Sequence, residues 1–148
     1  MMQARDIAII RMLAPPFMAV PDAPESFKAL LDYAYNDSNN ALMPVYSGGN
    51  EGSIYGEHGN LCFRAWHDAC HIRVMAGFSF WGEVKTIREQ HRQAKRAGMS
   101  KEGLKLLWLD AFGQVCYYYK HKEFVNNQQA FVNHALEHGI REAIKERF

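Results

Sequence analysis

His67 and His71 stand four residues apart in the stretch RAWHDACHIRVMAGFSFWGE, with Asp68 beside the first histidine and Glu83 closing the stretch. In a helix each residue turns about 100° from the last, so His71 lies about 40° from His67. Phe63, Cys70 and Val74 fall within about 60° of the same line. Both imidazoles therefore ride on an apolar stripe that faces a core. Asp68 sits on the flank, about 100° away, and approaches the same site edge-on. A histidine pair with this spacing can hold one divalent metal ion.

Further acids fall into reach once the chain is folded back. A turn near Gly77–Ser79 returns residue 71 alongside roughly residue 84, which makes Glu83 a neighbour of His71. Asp110 lies in the middle of LKLLWLDAFGQVCYYY, a segment apolar almost all round. A carboxylate there must be paired, metal-bound or protonated, because burying it ionised and alone is prohibitively costly. The same residues also admit a metal-free solution, with neutral histidine hydrogen-bonded to Asp110 or Glu83. Two histidines and three acids together favour a metal or catalytic site.

The chemistry of such a site follows from the ion. A divalent metal lowers the pKa of water and polarises a phosphoryl oxygen. Glu83 or His71 would act as general base or proton donor. Arg64, one turn before His67, and Arg73 are placed to neutralise phosphate oxygens; the plainer reading of both is surface charge. The loop over 46–60, rich in glycine and tyrosine, would cover the site and stack a base, or simply connect two elements.

His67-Asp68 resembles the doublet of the HD-domain metal-dependent phosphohydrolases, an all-helical superfamily. HDACH followed by Phe78 and Gly82-Glu83 is most similar to the deoxynucleoside triphosphate triphosphohydrolase branch, although the spacing to Gly-Glu is longer here. The resemblance implies His67 and Asp68 as metal ligands, His71 as a catalytic or phosphate-contacting residue, and Asp110 as the distal aspartate. It implies a divalent cofactor (manganese, zinc, magnesium or iron) and a nucleotide or other phosphate ester as substrate. The family supplies another histidine from further upstream; the first histidine of this chain is His58, in the glycine-rich loop. The pattern FRAWHD..H with a later F...GE also resembles small proteins of tailed bacteriophages, which would place the chain in a host cytoplasm.

These residues need a scaffold, and the pattern is helical from Leu61 onward. Helices are expected at roughly 61–76, 80–97, 101–121 and 124–146, with Ser79 and Ser100 as N-caps and Gly98 as a C-terminal cap. Short connections imply antiparallel neighbours. Upstream, residues 6–13 read as a strand or a short helix. APPFMAVPDAPE reads as an extended connection. A helix then begins after Asp22 or Ser26 and stops at NDSNN. The fold class expected is all-α, a compact helical bundle of HD-domain type, one domain over 1–148, with a proline-rich N-terminal segment and one Gly/Tyr-rich loop.

Bulk composition narrows the function classes. Lysine plus arginine number 17 against 16 acids, so net charge does not select an acidic partner. The basic run from Arg88 to Lys105 lacks interleaved aromatics, which argues against single-strand nucleic acid. Its plainer reading is a solvated helix end. His134 and His138 repeat the four-residue spacing on a surface face. Cys62, Cys70 and Cys116 form no CxxC pair and read as reduced thiols of a cytosolic protein. No apolar run is long enough to span a membrane. A ferritin-like di-metal oxidase would need Glu-x-x-His pairs, which are missing. The serious rival is a non-enzymatic protein that binds and inhibits a protein partner, with the polar cluster as a buried structural network.

Overall fold

The computed structural model describes residues 1–36 and 42–148. Its elements are α1 (Ala4–Leu13), β1 (Phe17–Val20), α2 (Phe27–Asn36), β2 (Met43–Tyr46), α3 (Gly56–Val74), α4 (Phe80–Arg96), α5 (Lys101–His121), α6 (Gln128–His138) and α7 (Ile140–Lys145). The chain forms the expected all-α bundle. Among the described residues none of the helices is long and apolar enough to cross a membrane.

One open reading is resolved and three elements differ from the sequence reading. Residues 6–13, read as strand or helix, are helix from Ala4. The proline-rich segment contains a strand: prolines bracket FMAV and leave its four residues free to pair, Phe17 with Met43 through Val20 with Tyr46, in parallel. The helix expected from 61 starts at Gly56, so the last residues of the Gly/Tyr loop are its first turn. The helix expected over 124–146 divides into α6 and α7, because Gly139 at φ +90° leaves helical conformation between them. The expected NDSNN stop begins at Asn36, the last residue of α2, and its remaining residues lie outside the described ones.

The turns that set helix placement are built from local hydrogen bonds. Ser26 accepts the Ala29 N–H at 3.1 Å and caps α2. Ser79 and Ser100 cap α4 and α5 as expected, accepting from Gly82 and Gly103. Gly98, left-handed at φ +90°, ends α4 with paired bonds from Met99 to Ala94 and from Gly98 to Lys95. Buried Asp6 of α1 reaches the start of α5, accepting the Ser100 N–H at 3.0 Å and its hydroxyl at 2.6 Å.

α3 is the element that most of the molecule packs around: α1, α2, α4 and both strands touch it, while α4, α6 and α7 surround α5. Trp66 anchors α3 at 1% exposure, with its indole N–H donating to Gln93 Oε1 at 2.8 Å. Burying a side chain of that size contributes roughly 4–6 kcal/mol of transfer free energy. The α3–α4 hairpin is unusually close. A Cβ at Gly82 would lie 2.0 Å from the Gly77 carbonyl oxygen, so only glycine lets the first turn of α4 rest on the turn before it.

Candidate metal centre

The hairpin brings His67, His71 and Glu83 together. His67 Nε2 lies 2.9 Å from Glu83 Oε2, His71 Nε2 lies 3.1 Å from the same oxygen, and the two Nε2 atoms are 3.0 Å apart. The rings meet edge to face. His71 is buried, while His67 and Glu83 keep a little under a fifth of their side-chain surface exposed.

What matters is where the other ring nitrogens go. His71 Nδ1 donates to the Ala76 carbonyl at 2.8 Å, a group that can only accept. Thr86 sits 3.0 Å from the same nitrogen, and its own hydroxyl donates to the Gly82 carbonyl. His67 Nδ1 donates to Gln90 Oε1 at 2.6 Å. Both rings thus hold their hydrogen on Nδ1, which leaves both Nε2 lone pairs bare and pointed at each other and at a carboxylate. Three acceptors converge with no donor between them. Either a proton or a metal ion must lie there.

The proton solution is visible in the charges. Burial pulls the His67 imidazolium down, but hydrogen bonding and charge from Glu83 more than reverse it and raise its pKa to about 9. Burial raises Glu83, and the two histidine contacts overcome it and bring the carboxyl to about 2. The metal solution fits the same atoms. Two imidazole nitrogens and one carboxylate oxygen are a common donor set for one transition ion. Bonds of about 2.1 Å place adjacent donors roughly 3.0–3.4 Å apart, close to the separations found. Outer acceptors on each Nδ1 are the usual means of orienting ligating imidazoles. Gln90 is fully buried and its Nε2 has no partner. A carboxamide kept at that cost serves its oxygen, which is spent on His67. This group could hold a metal ion.

One of the two described left-handed residues other than glycine lies at the same place. α3 ends on Met75, a left-handed residue at φ 50° that is not glycine. The Met75 and Ala76 N–H groups return to Ile72 and His71, and this reversal presents the Ala76 carbonyl to the His71 ring.

Of the other expected site residues, two carboxylates stand outside the three-residue group. Asp68 makes no hydrogen bond or ion pair among the described residues; burial raises its pKa to about 6 against the pull of His67 and His71. Asp110 is buried and accepts from the Tyr55 hydroxyl at 2.9 Å and Gln114 Nε2 at 2.7 Å. Burial holds its pKa near 6 against those two bonds. His58 is exposed, near Cys62 and Phe17. Arg64 is committed to the loop: it donates to the Tyr46, Gly48 and Gly49 carbonyls at 2.7, 2.6 and 3.3 Å. Arg73 points to solvent and pairs with Glu89 at 3.2 Å. The loop itself lies along α3 rather than over the histidines, and its Tyr55 is buried, stacked on Phe63. Cys62 and Cys70 are buried free thiols.

A cavity of about 520 Å³ opens in front of the group, lined by His67 and Glu83 together with Phe63, Phe78, Tyr118 and Phe124. Phe63 stacks on the His67 ring. The tyrosine run at the end of α5 divides: Tyr117 is buried, while Tyr118 and Tyr119 are more than a third exposed and line the cavity.

Fold and site together define a helical bundle whose central hairpin carries a two-histidine, one-carboxylate group beside an aromatic cavity. No protein-family model matches this chain, and no curated protein or solved structure matches it either.

Proposed function

We propose that the chain is a divalent-metal-dependent hydrolase of a small molecule bound in the aromatic cavity, with His67, His71 and Glu83 as the metal ligands. The observation that supports this is the coincidence of two features: three lone pairs aimed at one point, and a cavity lined by two of the same residues. A purely structural network gains stability by being sealed; this one opens to a space large enough for a ligand. Zinc and iron(II) suit the donor set better than magnesium, which wants mostly oxygen ligands. A metal held there supplies an activated water and a Lewis acid.

The chain's own groups complete the site. Gln90 and Ala76 hold the two rings in register. Glu83 Oε2 faces both imidazoles, and among the described residues Oε1 takes part in no hydrogen bond. Phe63 and Phe78 limit water around the reacting group. The resemblance to HD-domain phosphohydrolases motivates the hydrolytic reading, with a different ligand set. Phosphate as the substrate's reacting group draws no support from Arg64 or Arg73, since neither lines the cavity.

Metal analysis of untagged protein after incubation with zinc, manganese or iron(II) tests this. One ion per chain is expected, lost in His71→Ala, with hydrolysis of a panel of esters, amides and phosphate esters that disappears in the same variant. A folded wild-type protein that takes up none of the three metals would falsify the assignment. The rival reading, a structural network in a binding protein, is favoured by one observation: the single proton that His67 carries already closes the group. Under it, His67→Ala lowers stability and leaves any partner affinity intact.

A further inference from the structure

The cavity in front of the histidines has a charge character that narrows what it takes. Its lining includes two carboxylates, Glu25 and Glu83, and neither lysine nor arginine. Glu83 is answered by the two imidazoles. Glu25 is an exposed residue and makes no ion pair or hydrogen bond among the described residues. Around it the walls are ring faces and edges, from Phe63, Phe78, Tyr118, Tyr119 and Phe124. Aromatic faces carry negative electrostatic potential and attract cations, most of all where water is excluded. An anion entering this space would meet the Glu25 carboxylate and π-faces, with neither lysine nor arginine among the described lining residues to receive it.

The molecule already shows this preference in its own chain. The Lys122 ammonium lies 5.1 Å from the centroid of Tyr119. Lys122 is the left-handed residue that ends α5, so the backbone itself turns a cation onto a ring that also lines the cavity. Tyr118 and Phe124 stack at 4.8 Å beside it. Phe124 is 73% exposed, an aromatic at the rim with one face stacked on Tyr118 and much of the rest open.

We infer that the cavity binds organic cations, molecules carrying an ammonium group on an apolar or aromatic body, with Glu25 and the ring walls receiving the charge. This deepens the reading above by naming the substrate class, and it rests on that reading only in treating the cavity as the substrate's side of the histidine group.

The test is calorimetric titration of metal-free protein with two probes of similar size and opposite charge, benzyltrimethylammonium and phenyl phosphate. The cation is expected to bind. Glu25→Gln should weaken it about two- to fivefold, from loss of one charge contact at an exposed carboxylate. Phe124→Ala, at an exposed position with little bearing on folding, should weaken it about two- to fivefold. Phenyl phosphate should bind more weakly than the cation. Three results would overturn the inference: no binding of the cation, equal affinity in Glu25→Gln, or tighter binding of phenyl phosphate. Metal content is measured separately on the same samples. A protein that binds the cation but never takes up metal leaves this inference standing and removes the hydrolase reading. A protein that takes up metal but ignores the cation does the reverse.

Discussion

Glu83 and Asp110 are both carboxylates turned toward the interior of the bundle, and their surroundings differ in one respect. Asp110 meets donors: a tyrosine hydroxyl and a carboxamide N–H converge on it, and the network is complete as it stands. Glu83 meets two imidazole nitrogens whose hydrogens are spent elsewhere. The same group thus meets donors in one place and, in the other, ring nitrogens that could share a metal ion with it. The lesson is that burial of an acid says little about function. The direction in which its neighbours point their hydrogens decides whether it is a structural member or a ligand.

The largest effect should come from His71→Ala. It removes a donor outright, so affinity for zinc should fall by more than the roughly 10–100-fold typical of an outer-shell change, measured by competition with a chromophoric chelator. Asp110→Asn should leave that affinity unchanged, and a matching loss there would erase the contrast between the two acids.

Next in size is a stability effect at Asp110. Its native pKa near 6 stands above the ordinary 3.8, so the native state keeps a proton that the unfolded chain releases. The stability this contributes is fully present below about pH 4 and is lost as pH rises through about 6, in total on the order of 3 kcal/mol. Asp110→Asn does not titrate. Its urea midpoint should gain on the wild type between pH 4 and pH 7.5, and parallel curves for the two proteins would refute the assignment.

Two glutamines offer a matched pair. Gln90→Leu removes the acceptor that orients His67 and should weaken metal binding roughly 10–100-fold, with little loss of stability because an unpartnered Nε2 goes with it. Gln114→Leu should do the opposite: metal affinity stays, and about 1–2 kcal/mol of stability is lost as Asp110 Oδ1 loses its donor. Equal behaviour of the two would show that the networks are not different in kind. The smallest effect is at Met75, where glycine removes left-handed strain from an exposed residue. Met75→Gly should raise the melting temperature slightly, by a gain of less than about 1 kcal/mol; a marked loss would mean the strain is not there.

Much of this arrangement was legible in the sequence, for reasons that can be stated residue by residue. The four-residue histidine spacing on an apolar stripe placed His67 and His71 together, and the length of the connection returned Glu83 to them. Asp68 shows the limit of a dipeptide signature: neighbours on a helix diverge by about 100°, and here Asp68 stands outside the group that His67 joins. Asp110 was legible as buried but not in its partner: a helix apolar all round gives no preferred direction, and Tyr55 comes from a loop without periodicity. Gln90 was missed although a signal existed, with Glu83, Thr86 and Gln90 spaced i, i+3, i+7 as polar residues on α4's buried stripe. The paired strands escaped because four residues between prolines carry no alternation to read. Asp6 escaped because what it caps lies on another helix.

Gly82 gives the hairpin the character of a caliper. One jaw carries two imidazoles, the other a carboxylate, and the opening is fixed where backbone rests on backbone, with a hydrogen atom standing where any other residue would place a methyl 2.0 Å from the Gly77 carbonyl oxygen. Glu83 is the very next residue, so a side chain at position 82 would open the jaws while leaving every ligand in place. The gauge of the group, and with it the size of ion that it could hold, is therefore set by a residue outside it.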